Sequence, residues 1–336
     1  MCKIAINGFG RIGRLFFREV FDKENFDVVA INDLADIENL SYLLSYDTVY
    51  GRFLEDVEVK DDDLFVGDEE VKFFQKKDPK ELPWEELEID IVIEATGAFT
   101  EYDRAKKHLE AGAKRVIITA PGKGREGVEG TTVLVGINED DFEKTVLTSN
   151  GSCTTNAVSP VIDILKNSIG VKKAILNTIH GYTSSQNLVD GPSKRVRRGR
   201  AAACNVVPST TGAAIAVSRV IPEMKGKFDG VALRVPVPAG SVADITFVSE
   251  KETSVEEVNK VLKNAASNSE WEGVFGVTEA PLVSSDIVGQ SYGAIADLSF
   301  TRVVDGDLVK IFSWYDNEFG YVSTLIKHME KVAELI

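Results

Sequence analysis

Lys3-Ile4-Ala5-Ile6-Asn7-Gly8-Phe9-Gly10-Arg11-Ile12-Gly13 is the stretch whose reading decides the fold. Lys3–Asn7 is a short apolar run with the texture of a buried strand, and Arg11–Phe21 has the texture of a helix. The glycines between them form a Gly-x-Gly-x-x-Gly pattern. Alone that pattern is weak, because glycine-rich turns are common. Between a strand and a helix it signals a dinucleotide site: the glycines permit a tight turn, close approach of a pyrophosphate and close helix–strand packing. The helix N-terminus adds free N–H groups and a favourable dipole. Gly8, Gly10 and Gly13 are therefore candidate cofactor-binding residues. Asp33 ends the second apolar run, Val28–Asn32, about 20 residues after Gly13, where a carboxylate accepts from the adenosine ribose hydroxyls. A carboxylate there repels a 2′-phosphate by roughly 1–4 kcal/mol at about 4 Å, so NAD is favoured over NADP.

Working outward, further apolar runs follow at Asp90–Ala95, Val116–Ala120, Val133–Val135 and Val146–Ser149, with an acidic stretch, Glu55–Glu70, that reads as hairpins or loops. Runs with so little polar alternation suit a parallel sheet buried on both faces. After Cys153 the texture changes. A helix over about 155–166 precedes a Gly/Ser/Arg-rich loop over about 181–203, then strand-like runs at Gly230–Pro236, Asp244–Ser249, Ala294–Thr301 and Leu308–Tyr315. A helix over 254–267 interrupts them, and an amphipathic helix over 320–335 closes the chain. The expected fold class is α/β: a doubly wound, parallel-sheet dinucleotide-binding (Rossmann) domain plus an α+β catalytic domain with a mainly antiparallel sheet. The expected boundaries are 1–152, 153–316, and a C-terminal helix over 317–336 returning to the first domain.

Composition narrows the function. Hydrophobic residues make up 43% and charged residues 27% of 336, a globular balance. Asp plus Glu outnumber Lys plus Arg by 53 to 38, for a net charge of −15. Such a field argues against nucleic acid or an anionic membrane as partner. No apolar stretch reaches the ~20 residues of a membrane span. The N-terminus lacks a secretory pattern, and three scattered cysteines are no disulfide framework, so a reducing, cytoplasmic setting is expected. His108, His180 and His328 lie far apart with no CxxC or HxxxH spacing, so no metal is expected.

Cys153 lies in Ser149-Asn150-Gly151-Ser152-Cys153-Thr154-Thr155-Asn156, between a strand end and a helix start, where a thiolate is stabilised. Cys204, in the small-residue run Ala201–Val206, reads as a buried inert thiol. His180 ends an apolar run. Cysteine plus histidine on separate segments is an enzyme pattern, although spacing alone does not bring them together.

The cysteine segment resembles the active-site signature of the phosphorylating glyceraldehyde-3-phosphate dehydrogenases. The resemblance extends along the chain through Ile6–Arg14 (INGFGRIGR), Ile31–Leu34 (INDL), Glu94–Phe99 (EATGAF), Ala120–Gly124 (APGKG), Ile179–Gln186 (IHGYTSSQ), Val207–Ala214 (VPSTTGAA), Leu233–Pro238 (LRVPVP) and Trp314–Tyr321 (WYDNEFGY). It implies a glycolytic and gluconeogenic oxidoreductase that converts D-glyceraldehyde 3-phosphate, NAD and inorganic phosphate to 1,3-bisphosphoglycerate through a cysteine thiohemiacetal and thioester. By resemblance Cys153 is the nucleophile and His180 the base. Thr183 and Arg234 take the substrate phosphate; Ser152, Thr154, Thr211 and Gly212 take inorganic phosphate. Arg11, Ile12, Thr96, Thr119, Asn317 and Tyr321 join the cofactor contacts, and the assembly is a homotetramer. Erythrose-4-phosphate dehydrogenase, with the same thiol chemistry, is the alternative. The chain departs from the family pattern at Ile215, where lysine is common, at Gly151, where alanine is usual, and at Ser184-Ser185. The basic run Arg195, Arg197, Arg198 and Arg200 reads as a solvated loop.

Overall fold

The computed structural model describes residues 1–336. The chain divides into two compact units. Met1–Val133, Glu139–Gly151 and Leu325–Ile336 form the first; Leu134–Asn138 and Ser152–Thr324 form the second. The last helix, Phe319–Ala333, is shared between them, with Leu325 onward counting in the first unit.

The first unit is built on a nine-stranded sheet in the order Thr131–Thr132, Leu147–Ser149, Arg115–Ile118, Ile91–Glu94, Cys2–Asn7, Phe26–Asn32, Glu69–Phe74, Asp63–Val66, Val57–Lys60. The first seven strands are parallel. Ile4, Ala5, Ile6, Ile91, Val92, Ile93, Val116 and Ile117 are wholly buried, as the unbroken apolar runs require. The acidic stretch forms the antiparallel end of this sheet. Its first turn, Lys60-Asp61-Asp62-Asp63, has positive φ at both central aspartates, the hairpin geometry whose twist matches that of the flanking strands. One expected strand is corrected. Val133–Val135 is not a strand; pairing ends at Thr132, and the carbonyl of Leu134 accepts from Ile137 N–H and Asn138 N–H in a turn. The apolar character there reflects burial rather than sheet pairing.

The second unit carries a seven-stranded sheet in the order Val207–Thr210, Phe228–Val235, Val171–Gly181, Ser241–Ser249, Leu308–Tyr315, Ala294–Val304, Phe275–Thr278. Four of its six pairings are antiparallel; Val171–Gly181 with Phe228–Val235, and Phe275–Thr278 with Ala294–Val304, are parallel. The helix Cys153–Lys166 contacts four strands of this sheet and is buried over almost its whole length. It is the axis of this unit's core, with Val158, Val161, Ile162 and Leu165 packed against Leu176, Ala243, Ile245 and Ile311.

Candidate active site

In the first unit Cys2–Asn7 lies between Phe26–Asn32 and Ile91–Glu94, so the chain's connections diverge at its carboxyl end. Open parallel sheets bind ligands at such a point. Gly8 has φ +99°, and a Cβ there would stand 2.5 Å from the backbone nitrogen of Thr96. A Cβ on Gly13 would stand 2.1 Å from the carbonyl oxygen of Gly8, so only glycine lets the helix pack this close. Around Gly10, by contrast, nothing lies within 4 Å. The helix Arg11–Val20 begins there with no side-chain cap and no acid in its first turn, which suits an anion at its N-terminus.

Asp33 follows the second strand. Its Oδ2 accepts from Phe9 N–H at 2.7 Å and its Oδ1 from Ala35 N–H at 2.9 Å. Both bonds fix the carboxylate at the edge of a cavity of about 760 Å³, which Gly8, Gly10, Asn32, Thr96 and Phe99 also line. The open space at Gly10 and the acceptor set at Asp33 fit a dinucleotide.

Beneath this cavity is a buried polar network. Glu94 receives four donors. Asn7 Nδ2 and His108 Nε2 (3.1 Å) meet Oε2; the backbone N–H (2.9 Å) and hydroxyl of Thr96 meet Oε1. Trp84 Nε1–H donates to His108 Nδ1 at 3.0 Å, which fixes the His108 proton on Nε2, facing the carboxylate. Asn32 Nδ2 donates to Asn7 Oδ1 at 2.7 Å. Asn7, Asn32 and Thr96 each line the cavity, so Glu94 organises its floor. Sequence reasoning missed this role, although Glu94 opens the quoted EATGAF run.

Other expected cofactor residues are placed as follows. The Arg11 guanidinium pairs with Asp47 and lies over the Tyr50 ring at 5.7 Å. Thr119 commits its hydroxyl to the carbonyl of Glu94 at 3.1 Å. Ile12 is half-buried. In the second unit Asn317 is buried, its Oδ1 accepting from Ser241 Oγ at 2.8 Å, and Tyr321 is buried in the last helix.

The second unit holds the thiol. Cys153 is the first residue of its helix, two residues earlier than the sequence pattern suggested. Ser152 caps that helix: its Oγ accepts from Thr155 N–H at 3.1 Å, while Ser152 N–H donates to Thr155 Oγ1 at 3.2 Å. Sγ of Cys153 lies 3.4 Å from Nε2 of His180. His180 arrives on the strand Val171–Gly181, whose parallel partner sets Arg234 directly beside it in register. Arg234 Nη1 is 2.7 Å from Nδ1 of His180 and 2.9 Å from the carbonyl oxygen of Gly181. Tyr315 ties the pair together. Its hydroxyl is 3.0 Å from Thr154 Oγ1 and 2.7 Å from Thr178 Oγ1, and its ring meets His180 edge-on with centroids 5.9 Å apart.

Burial raises the Cys153 thiol, opposed first by the charge of Arg234 and then by the hydroxyl and backbone of Thr154. Burial and then Arg234 push the His180 imidazole down to about 3, against the carbonyl of Gly181.

Thr183 Oγ1 is 2.9 Å from Ser185 Oγ. Arg198 donates to that same Ser185 hydroxyl and to Ser209 Oγ, each at 2.9 Å. Unlike the exposed Arg195, Arg197 and Arg200, Arg198 is 8% exposed, and burial followed by the charges of Arg234 and Arg195 lowers it to about 10. The solvated-loop reading therefore fails for Arg198, which turns inward toward an anion-seeking cluster. Thr211 Oγ1 accepts from Ala213 N–H at 3.1 Å at the start of the helix Ala213–Val220. Cys204 is exposed, not buried: it ends a short turn of the loop and packs into no core.

Residues 2–102 match the family description "glyceraldehyde 3-phosphate dehydrogenase, NAD binding domain", and residues 152–317 its "C-terminal domain". The glyceraldehyde-3-phosphate dehydrogenase of Thermotoga maritima is 48% identical over 339 residues, covering 100% of both chains. Those of Clostridium pasteurianum and Clostridium acetobutylicum are 46% and 45% identical over 341 residues, covering 100% of this chain and 99% of theirs. The chain belongs to the glyceraldehyde-3-phosphate dehydrogenase family. Within that family its departures now have locations. Gly151 has φ +63°, a left-handed conformation that glycine adopts without strain and alanine does not. Ile215 is exposed on the helix Ala213–Val220. Ser185 bridges Thr183 and Arg198. No group of His, Cys, Asp and Glu is arranged to hold a metal ion, and no helix is long and apolar enough to cross a membrane.

Proposed function

We propose that Cys153 is the nucleophile and His180 the acid–base group in the NAD-dependent oxidative phosphorylation of glyceraldehyde 3-phosphate, the reaction of this family. The observation that carries the assignment is the 3.4 Å contact between Sγ and Nε2 at a capped helix N-terminus. Sγ attacks the aldehyde carbon, and the resulting oxyanion takes a proton from Nε2, giving a thiohemiacetal. Nε2 then removes the hydroxyl proton as the carbon is oxidised to a thioester. NAD supplies the hydride acceptor. An oxygen of inorganic phosphate attacks the thioester carbonyl, the N–H of Cys153 stabilises the oxyanion, and the C–S bond breaks to release the acyl phosphate and the thiolate.

Arg234 and Thr183 hold the substrate phosphate, supported by the inward-turned Arg198. Ser152, Thr154, Thr211 and Gly212 hold inorganic phosphate. Ser152 and Thr154 would share their hydroxyls with Thr155 and Tyr315, which a hydroxyl's one donor and two lone pairs permit. Asn317, with its carbonyl committed to Ser241, offers its amide N–H groups to the nicotinamide carboxamide; Tyr321 packs on that ring. The backbone-fixed carboxylate of Asp33 selects NAD over NADP. The exposed Ile175, Val231 and Ile215 of the second unit give apolar surface for a homotetramer, and three unbridged cysteines suit a cytoplasmic setting.

The test is NADH absorbance on mixing NAD, glyceraldehyde 3-phosphate and phosphate. Without phosphate, one burst of about one NADH per active site is expected, then a slow rate, as for an accumulating acyl-enzyme. Cys153→Ser abolishes the burst, and Thr211→Ala keeps it while slowing the steady state. An equal sustained rate with and without phosphate would mean that water takes the thioester, and the phosphate assignment would fall.

A further inference from the structure

Three buried hydroxyls from three elements stand in line beside the thiol. Thr178 lies on the strand Val171–Gly181, Tyr315 ends the strand Leu308–Tyr315, and Thr154 is the second residue of the helix Cys153–Lys166. The Tyr315 oxygen is 2.7 Å from Thr178 Oγ1 and 3.0 Å from Thr154 Oγ1. Thr178 and Tyr315 are each 1% exposed and Thr154 is 5% exposed, so the line must satisfy itself largely without water.

Each hydroxyl has one hydrogen to donate and lone pairs to accept with. Donor counting gives the line a direction. Thr178 Oγ1 has Tyr315 as its only polar partner. If Thr154 donated to Tyr315 and Tyr315 to Thr178, the Thr178 O–H would be buried with no acceptor, which folded proteins avoid. In the other direction Thr178 donates to Tyr315 and Tyr315 donates to Thr154, and both of those hydrogens are used. The Thr154 hydrogen is then left over. Within the chain it reaches only Sγ of Cys153, at 4.0 Å, the far limit of a bond to sulfur. No acid stands in the first turn of this helix to take it. The leftover O–H thus joins the free N–H groups of a helix N-terminus, where an anion is favoured. A hydroxyl that accepts one hydrogen bond also donates a stronger one.

We propose that Tyr315 is a positioning residue for the phosphate-dependent half of the reaction. By donating to Thr154 it aims the Thr154 O–H at an oxygen of the attacking inorganic phosphate. Tyr315 itself touches neither the phosphate nor the thioester carbon. Capture of the acyl group by phosphate uses this donor, whereas capture by water does not. The inference rests on the reading of Thr154 as a ligand of inorganic phosphate.

The experiment forms the acyl-enzyme from NAD and glyceraldehyde 3-phosphate without phosphate, then adds inorganic phosphate and follows loss of the acyl group from Cys153 by quenching and mass spectrometry. The slope of the rate against phosphate concentration reports phosphorolysis, and the intercept reports hydrolysis of the same thioester. Tyr315→Phe keeps the ring against His180. It should lower the slope by about tenfold, the size of one net hydrogen bond, and leave the intercept unchanged. In a Thr154→Val background it should lower the slope no further. A wild-type slope in Thr154→Val overturns the ligand reading and the relay with it. A lowered slope in Thr154→Val overturns the relay alone if Tyr315→Phe keeps the wild-type slope, lowers slope and intercept together, or adds its full loss to that of Thr154→Val. Should Tyr315→Phe fail to fold, the other end of the line answers. Thr178→Val should lower the slope and Thr178→Ser should restore it, and a wild-type slope in Thr178→Val overturns the relay.

Discussion

Replacing Glu94 with glutamine tests the floor of the dinucleotide cavity with almost no change in shape. The carboxylate accepts from four donors, two on each oxygen. Glutamine offers one acceptor oxygen and one NH2 group. If the NH2 takes the Oε1 place, it faces the backbone N–H of Thr96, which cannot turn away. If it takes the Oε2 place, it faces Asn7 Nδ2 and the Nε2–H of His108. His108 could accept there only by moving its proton to Nδ1, which Trp84 Nε1–H already occupies at 3.0 Å. Either way at least one buried donor is left facing a donor, at a cost of about 1–3 kcal/mol, and bonds to a charged acceptor worth roughly 1.5–3 kcal/mol are weakened. Glu94 and His108 are 1% and 0% exposed, so water does not relieve the mismatch. We expect Glu94→Gln to lower unfolding stability by about 3 kcal/mol in urea and to weaken NAD binding at least tenfold by calorimetry, because Asn7 and Thr96 lose their anchor. Unfolding within about 0.5 kcal/mol of wild type with an unchanged NAD Kd would refute this account of the network.

Gly10 and Gly13 should respond differently. Gly13→Ala must push the helix off the Gly8 carbonyl and should cost about 1–3 kcal/mol of stability, whereas Gly10→Ala, in open space, should leave the melting temperature unchanged and raise the NAD Kd. Asp33→Ala should relieve rejection of NADP; the wild type should prefer NAD by at least about tenfold in kcat/KM, about 1.4 kcal/mol, and equal values would contradict the role given to that carboxylate. Burial lowers His328 from 6.5 to about 3. Between those limits the unfolded chain binds a proton that the folded chain refuses, so stability is full above about 6.5 and is lost as pH falls toward 3. His328→Gln should flatten that part of a stability–pH curve by up to about 1.4 kcal/mol per unit, and an unchanged slope would deny the histidine this part in acid unfolding.

The dinucleotide half of the site was legible because its signals are local. Strand, turn and helix follow one another within Lys3–Phe21, and Gly8 and Gly13 have steric reasons while Gly10 leaves open space. Strand placement failed where burial imitated it, at Val133–Val135. The catalytic half is different in kind. His180 and Arg234 are far apart in the chain, and they meet only because two strands run parallel in one register. Sliding either strand by one residue would turn one of the two side chains to the other face. No spacing rule carries that information, so their roles came from resemblance. Tyr315, whose hydroxyl joins two threonines from separate elements, carried no signal in the sequence at all. Nor did Arg198, one of four arginines in a short loop and the only one buried.

The composition of the first unit bears on how the protein is made. That unit includes Leu325–Ile336, which are synthesised after every residue of the second unit. They bring His328, whose Nε2 lies 2.7 Å from Thr148 Oγ1 and whose ring meets Phe142 edge-on at 4.7 Å. The second unit lacks nothing after Thr324. The amino-terminal sheet therefore waits, with its parallel strands paired but part of its core uncovered, while the later unit is synthesised. Order of emergence and order of completion are reversed relative to the usual N-terminal-first sequence. A nascent chain halted before Leu325 should expose this gap to protease and chaperone, whereas one extended through Ile336 should be protected.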